Sequence, residues 1–182
     1  MTELTNDAIK TQTLTWIRTF IIEYNICPFA KHTINHETVA IDVVEPSTLE
    51  HALETLMSTI VRMDKNSEIE TLLLLFPYSF SKFDDYLDFA SLAEELLSLS
   101  GYEGIYQLAT FHPNYCFTDV LDTDASNYTN RSPYPMLHIL RESSIEKAIE
   151  HYGDTSKIPD NNIAMMHKLG LDKLIAQLKN LT

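Results

Sequence analysis

The segment Glu70-Thr71-Leu72-Leu73-Leu74-Leu75-Phe76 constrains the fold more than any other part of this sequence. Its apolar core, Leu72 to Phe76, falls far short of the roughly 20 residues that span a bilayer, and its length suits a strand. Strand side chains alternate between two faces, so a run without polar alternation reads as a strand buried on both. Helical patterns flank it. Residues 6–24 place Leu14, Ile17, Phe20, Ile21 and Tyr24 at spacings of three and four, Trp16 widens that stripe, and Asn25 and Pro28 mark its end. Ser47 to Met63 opens on a capping box, Ser47 with Glu50, while Ser81 to Leu99 opens on Ser81 with Asp84 and stops before Gly101.

Further strands are expected at Thr38 to Glu45, at Ile105 to His112 and at Met136 to Arg141. Ser143 with Glu146 begins a helix to about His151, and Ile163 to Leu181, broken by Gly170, supplies one or two short helices at the end. The order α-β-α-β-α-β-loop-β-α-α predicts an α/β fold: a single layered domain over residues 1–182, with a mixed sheet of about four principal strands and flanking helices. Strands joined through helices should be parallel neighbours with right-handed crossovers. The last strand, with no helix before it, should run antiparallel.

Composition removes whole function classes. The 4 glycines, Gly101, Gly104, Gly153 and Gly170, form no dinucleotide fingerprint, P-loop or nucleophile elbow. The 2 cysteines, Cys27 and Cys116, make no CxxC pair, and no HExxH occurs, so the motifs name no cofactor. Lys+Arg 13 against Asp+Glu 26 gives a net charge of −13, which repels nucleic acid and anionic membranes at long range. An acidic N-terminus and distant cysteines predict a cytoplasmic protein, and monomeric or weakly dimeric behaviour is a separate expectation.

The segment at 113–133 departs from this regular pattern. Structureless loops beyond about 12–15 residues are uncommon in compact domains and are usually functional or disordered. Tyr115, Phe117, Val120, Leu121, Tyr128 and nearby Tyr134 are anchors a disordered tail would lack, so a packed functional loop is expected. His112 precedes it, and Arg131, His138 and Arg141 follow closely, two of the four arginines in the chain. Histidine suits proton transfer near neutrality, and the arginine fork suits carboxylate or phosphate. His112 and His138 are therefore the candidate catalytic pair. Asn127, Asn130, Arg131 and Arg141 are the candidate ligand-binding residues, with Cys27 and Tyr134 held as further candidates.

Other signals are weaker. Asp122, Asp124 and Ser126 imitate a calcium loop, but Asn127 stands at the required glycine and Pro133 at the final glutamate, so no EF-hand is read and no metal is assigned. A thiol after a helix C-terminus, as at Cys27, meets the negative end of the dipole, which opposes a reactive thiolate. His32 and His36 have the spacing of two metal ligands on a helix face, but Lys31 to Glu37 does not read as a helix.

Four motifs carry a resemblance: Cys27-Pro28-Phe29-Ala30; Phe111-His112-Pro113-x-Tyr115-x-Phe117; Asn127-Tyr128-Thr129-Asn130-Arg131-Ser132-Pro133-Tyr134-Pro135; and Leu137-His138-x-Leu140-Arg141-Glu142. In this order they resemble an uncharacterised bacterial family, the domain of unknown function 1415 family, over nearly the whole chain. The resemblance implies a stand-alone bacterial protein of this size and no particular activity. Cys116 is not part of that pattern.

Three readings stand side by side. The first is an enzyme or binder of a small anionic or polar molecule, with His112 or His138 as acid or base, Arg131 and Arg141 on the anion, and Asn127 and Asn130 orienting it. A second is a metal protein using His112, His138 and either Cys27 or an aspartate of 119–124. The third is a non-catalytic interaction module in which the same residues brace the loop. Convergence on one pocket would separate the first from the third. The charge argument is tested by titrating duplex DNA: no binding is expected, and tight binding that weakens steeply with salt would contradict it.

Overall fold

In a computed structural model, which describes residues 4–181, the leucine run forms a strand, Thr71–Leu75, buried at each of its five positions. In chain order the elements are α1 (Asn6–Trp16), a π-helical turn (Ile17–Ile22), α2 (Ala30–Asn35), β1 (Val39–Val43), α3 (Leu49–Lys65), β2 (Thr71–Leu75), α4 (Phe83–Leu99), β3 (Tyr106–Phe111), a 3-10 turn (Ala125–Thr129), β4 (Met136–Arg141), α5 (Glu142–Tyr152), α6 (Ile158–Leu169) and α7 (Leu171–Lys179). No helix among the described residues is long and apolar enough to cross a membrane.

The four strands form one mixed sheet in the order β1-β2-β4-β3. β1 and β2 are parallel, and β4 runs antiparallel to both of its neighbours. The expectation of parallel neighbours joined through a helix therefore holds for β1 and β2. It fails for β2 and β3, because β4 has inserted between them.

Alternation divides the sheet into two cores. Leu72, Leu74, Leu137, Ile139, Tyr106 and Leu108 face α3 and α4, where Leu56, Ile60, Tyr86 and Phe89 are fully buried. On the other face Leu73, Leu75 and Met136 meet α1, the π-helical turn, α6 and α7, through Ile9, Trp16, Phe20, Met166 and Leu174. Both faces of β2 are thus dry, as its sequence requires.

Four helix starts differ from the sequence reading. Ser47 is tied to Ser79, its N–H donating to Ser79 Oγ at 3.1 Å, so α3 begins a residue later with Thr48 Oγ1 capping His51 N–H. Lys82 rather than Ser81 precedes α4, where Asp84 and Asp85 place negative charge at the positive end of the helix. α5 starts directly at Glu142, whose N–H donates to the Ile105 carbonyl at 3.0 Å, leaving Ser143 inside the first turn. α6 also starts before the expected Ile163, with Pro159 in its first turn. Segment 31–37, not expected to be helical, contributes to α2, because Ala30 and Ile34 pack on the second core. Tertiary burial outweighs weak local propensity there. At the end of α4 the sequence signal holds: Gly101 takes φ +79°, with Tyr102 N–H on Leu97 O at 3.1 Å and Gly101 N–H on Ser98 O at 3.0 Å, closing a Schellman motif.

One α4 side chain ties the helix to the paired ends of β3 and β4. The Tyr86 hydroxyl donates to the Met136 carbonyl at 2.7 Å and accepts from Phe111 N–H at 3.1 Å, and Phe111 and Met136 are register partners. Burial pushes its pKa far up, so it stays a neutral donor. Tyr86→Phe leaves two backbone groups without this partner and should cost about 1–3 kcal/mol. Urea unfolding followed by the fluorescence of the single tryptophan measures it, and an unchanged midpoint would contradict this role.

Candidate functional site

The loop leaves β3 at His112 and returns at β4, and its polar residues are organised from its base upward. His112 is fully buried against Phe83 and Tyr86 of α4, with ring centroids 5.2 Å from each. Its Nε2–H donates to the Phe80 carbonyl at 2.9 Å, and Nδ1 accepts from Asn114 N–H at 3.0 Å. Both ring nitrogens are engaged, in one neutral tautomer, and burial lowers the pKa further. Phe80 has φ +57°, a costly conformation for a bulky residue, and the bond from His112 is one of the contacts that hold it.

Asn127 is also fully buried. Its Oδ1 accepts from Phe117 N–H at 3.0 Å, and its Nδ2 donates to the Leu121 carbonyl at 2.8 Å, closing the loop on itself. Asn130 Nδ2 donates to Thr110 O at 3.0 Å, while its own carbonyl accepts from His112 N–H at 3.2 Å, fastening the loop to β3. Arg131 spans the loop, with Nε on Tyr115 O at 3.0 Å and Nη2 on Asp122 O at 2.8 Å, and its guanidinium lies 4.8 Å from the centre of the Tyr128 ring. It takes backbone carbonyls, not the carboxylates of the loop. The aromatic anchors do pack: Tyr115 lies 5.1 Å from Phe83 and 5.0 Å from Phe117 between ring centres.

Arg141 lies elsewhere. It donates to Met63 O at 2.7 Å and Ile69 O at 3.2 Å and covers the Tyr106 ring at 5.2 Å, so it closes the C-terminal end of α3. His138 lies on the opposite face of the sheet from His112, beside Phe111 and in register with Leu73 and Ala109. The Thr71 hydroxyl donates to Ile139 O at 2.9 Å, so His138 Nε2–H must be the donor to Thr71 Oγ1. Burial lowers the pKa of His138 to about 4. The Cys27 thiol pKa is raised, chiefly by burial, against the lowering effect of N–H bonds from Phe29 and Ala30. The Tyr134 hydroxyl reaches Gln12 of α1. The sheet therefore separates His112 and Arg141 from His138, Arg141 lies at the opposite end of β4 from the loop, and Arg131 stays within the loop, on the Tyr115 and Asp122 carbonyls.

Sequence reasoning did not single out several residues that organise this region. Thr71 is the partner of His138, Tyr86 ties the strand ends, and His167 of α6 donates to Asp124 Oδ1 at 2.8 Å. With the Ser126 N–H, that bond holds the Asp124 carboxyl down to about 2. A capping signal, Asp124 two residues before Ser126, was legible; its link to α6 was not. Trp16 Nε1 is the one buried side-chain polar atom without a partner among the described residues. It belongs to a residue lining a cavity of about 10 Å³ with Phe20, Tyr128, Arg131 and Gln177, room for about one water molecule. Of the expected site residues, only Arg131 reaches that cavity. Among the described residues no group of three or more His, Cys, Asp or Glu is placed to hold a metal ion.

A mixed four-stranded sheet between two helical layers, with an internally braced β3–β4 loop, defines the class: a layered α/β protein. The chain belongs to the family described as "Protein of unknown function (DUF1415)", which matches residues 8–176 of 182. No curated protein and no solved structure matches it.

His112 and His138 both have lowered pKa values, so the unfolded chain binds protons between the ordinary histidine value of about 6.5 and the folded values, while the native chain does not. Their contribution to stability is complete above about pH 6.5 and declines as pH falls toward the folded values, about 4 for His138. Between pH 7.5 and 5.5, where carboxylates stay largely ionised, His138 alone should remove about 1.4 kcal/mol. Denaturant unfolding at the two pH values tests this, and His138→Asn should flatten the dependence.

Proposed function

We propose that the chain is a non-catalytic interaction module whose loop 113–133 is held rigid by the histidine, asparagine and arginine set and offers its tip as the contact surface. One observation carries this reading: the polar atoms of His112, Asn127, Asn130 and Arg131 engage backbone amides and carbonyls of the loop and its neighbours. An acid–base pair needs imidazoles that face a common substrate, and here the sheet stands between the two. At the tip Leu121, expected among the packed anchors, is instead 77% exposed, with Asp119 and Asp122 beside it. The matching partner is a protein surface with an apolar recess rimmed by lysine or arginine, which the net charge of −13 would attract. A monomer or weak dimer of the bacterial cytoplasm, without nucleic-acid or membrane partners, fits the same reading.

The small-molecule reading draws on the cavity beside Arg131 and the unpartnered indole N–H of Trp16. Its volume of about 10 Å³ compares with several hundred for ordinary ligand pockets. Arg131→Lys separates the two. The module reading predicts a loss of about 1.5–3 kcal/mol in stability, since lysine keeps the charge but not the fork that spans two carbonyls. It also predicts no measurable binding of inorganic phosphate or acetate by the parent protein. Phosphate binding that disappears in Arg131→Lys, at an unchanged melting temperature, would overturn it.

A further inference from the structure

Helix α2 and the His36 that follows its last residue carry an arrangement that neither reading of the loop uses. His32 and His36 are one turn apart and both exposed, with ring centres separated by 4.1 Å and planes tilted by 30°. His36 Nδ1 lies 2.9 Å from the His32 carbonyl oxygen, which can only accept, so Nδ1 carries the proton. In the neutral ring Nε2 is then a bare lone pair. A backbone carbonyl fixing the second ring nitrogen is the arrangement that orients metal-bound imidazoles. The His32 ring has no hydrogen-bond partner among the described residues, so no bond has to break for it to turn toward the same point.

We propose that His32 and His36 form an open surface site for a divalent transition-metal ion of the copper, nickel and zinc class. Two nitrogens each about 2.0–2.1 Å from one ion lie at most about 4 Å apart. Ring centres 4.1 Å apart put the two imidazoles on the scale of that limit, and rotation of the exposed His32 side chain is the movement the site requires. Imidazole donors select this class over calcium or magnesium, which take oxygen ligands. Because no third His, Cys, Asp or Glu joins the pair among the described residues, water fills the remaining positions. That makes the ion exchangeable, unlike a closed four-ligand structural zinc. The net charge of −13 raises the cation concentration around the chain.

The test is calorimetric titration of protein without a histidine tag against Cu²⁺, Ni²⁺ and Zn²⁺, with electron paramagnetic resonance of the copper form. One ion per chain is expected, copper bound tightest. His32→Ala and His36→Ala should each weaken copper by about tenfold or more, while His51→Ala should leave it unchanged. His32→Ala keeps the carbonyl that His36 uses and alters only an exposed side chain, so its fold is retained. The copper signal should show coupling to two imidazole nitrogens in the parent and one in His32→Ala. The proposal is overturned by an absence of saturable binding at roughly millimolar ion, by equal copper affinity in both alanine variants and the parent, or by equal competition from magnesium.

Discussion

Two ladders of backbone hydrogen bonds, one on each side of β4, decide where the polar residues of this chain can act. β4 pairs with β2 from Leu140 opposite Thr71 to Met136 opposite Leu75, and with β3 from Arg141 opposite Tyr106 to Met136 opposite Phe111. A one-residue slip in either ladder would exchange the two faces of the strand. The register that occurs sends Leu137 and Ile139 into the α3–α4 core and Met136 into the opposite one. His138 follows Met136 by parity, and His112, continuing β3 beyond Phe111, follows Tyr106 and Leu108. The separation of the two histidines is thus a consequence of strand pairing and not of local chemistry.

The same pairing explains the long loop. β3 and β4 are antiparallel neighbours that a tight turn could join, yet residues 112–135 lie between them. A connection of that length against a packed domain must supply partners for its own backbone amides and carbonyls. Asn127, Asn130, Arg131, Asp124 and Ser132 do this with short or forked polar side chains, Ser132 through its bond to Tyr134 O at 2.7 Å. A buried yet strongly polar motif is what such a loop requires. The loop is also joined to α6 through Asp124 and His167, so its position depends on helices far along the chain.

The imidazoles of His112 and His138 act as struts, each with one defined donor. His112 links the α4 approach to the loop base, and His138 links β4 to β2 through Thr71. Each works because it is neutral, and the desolvation that lowers its pKa maintains that state near pH 7. The exposed pair on α2 is different in kind: its rings face solvent, one of them with a nitrogen oriented by the backbone.

The sequence by itself determined the α/β class, the four strands, the doubly buried β2 and the loop at 113–133, because apolar periodicity and turn residues act over a few neighbouring positions. It also brought out Asn127, Asn130 and Arg131, since a polar cluster between two strands is visible without coordinates. Strand order was not legible: hydrogen bonding between β2 and β4 joins segments more than sixty residues apart, and nothing local in β4 says which strands it will separate. The helix at 30–35 escaped for a related reason, as its stability comes from Ala30 and Ile34 against a core built mainly by other elements. Nor could residue type alone say whether His112, Arg131 and Arg141 faced a ligand or a carbonyl. An imidazole or guanidinium bonds equally well to either, and only the tertiary structure, by bringing the carbonyls of Phe80, Tyr115 and Met63 within 3.0 Å, decided which it would be.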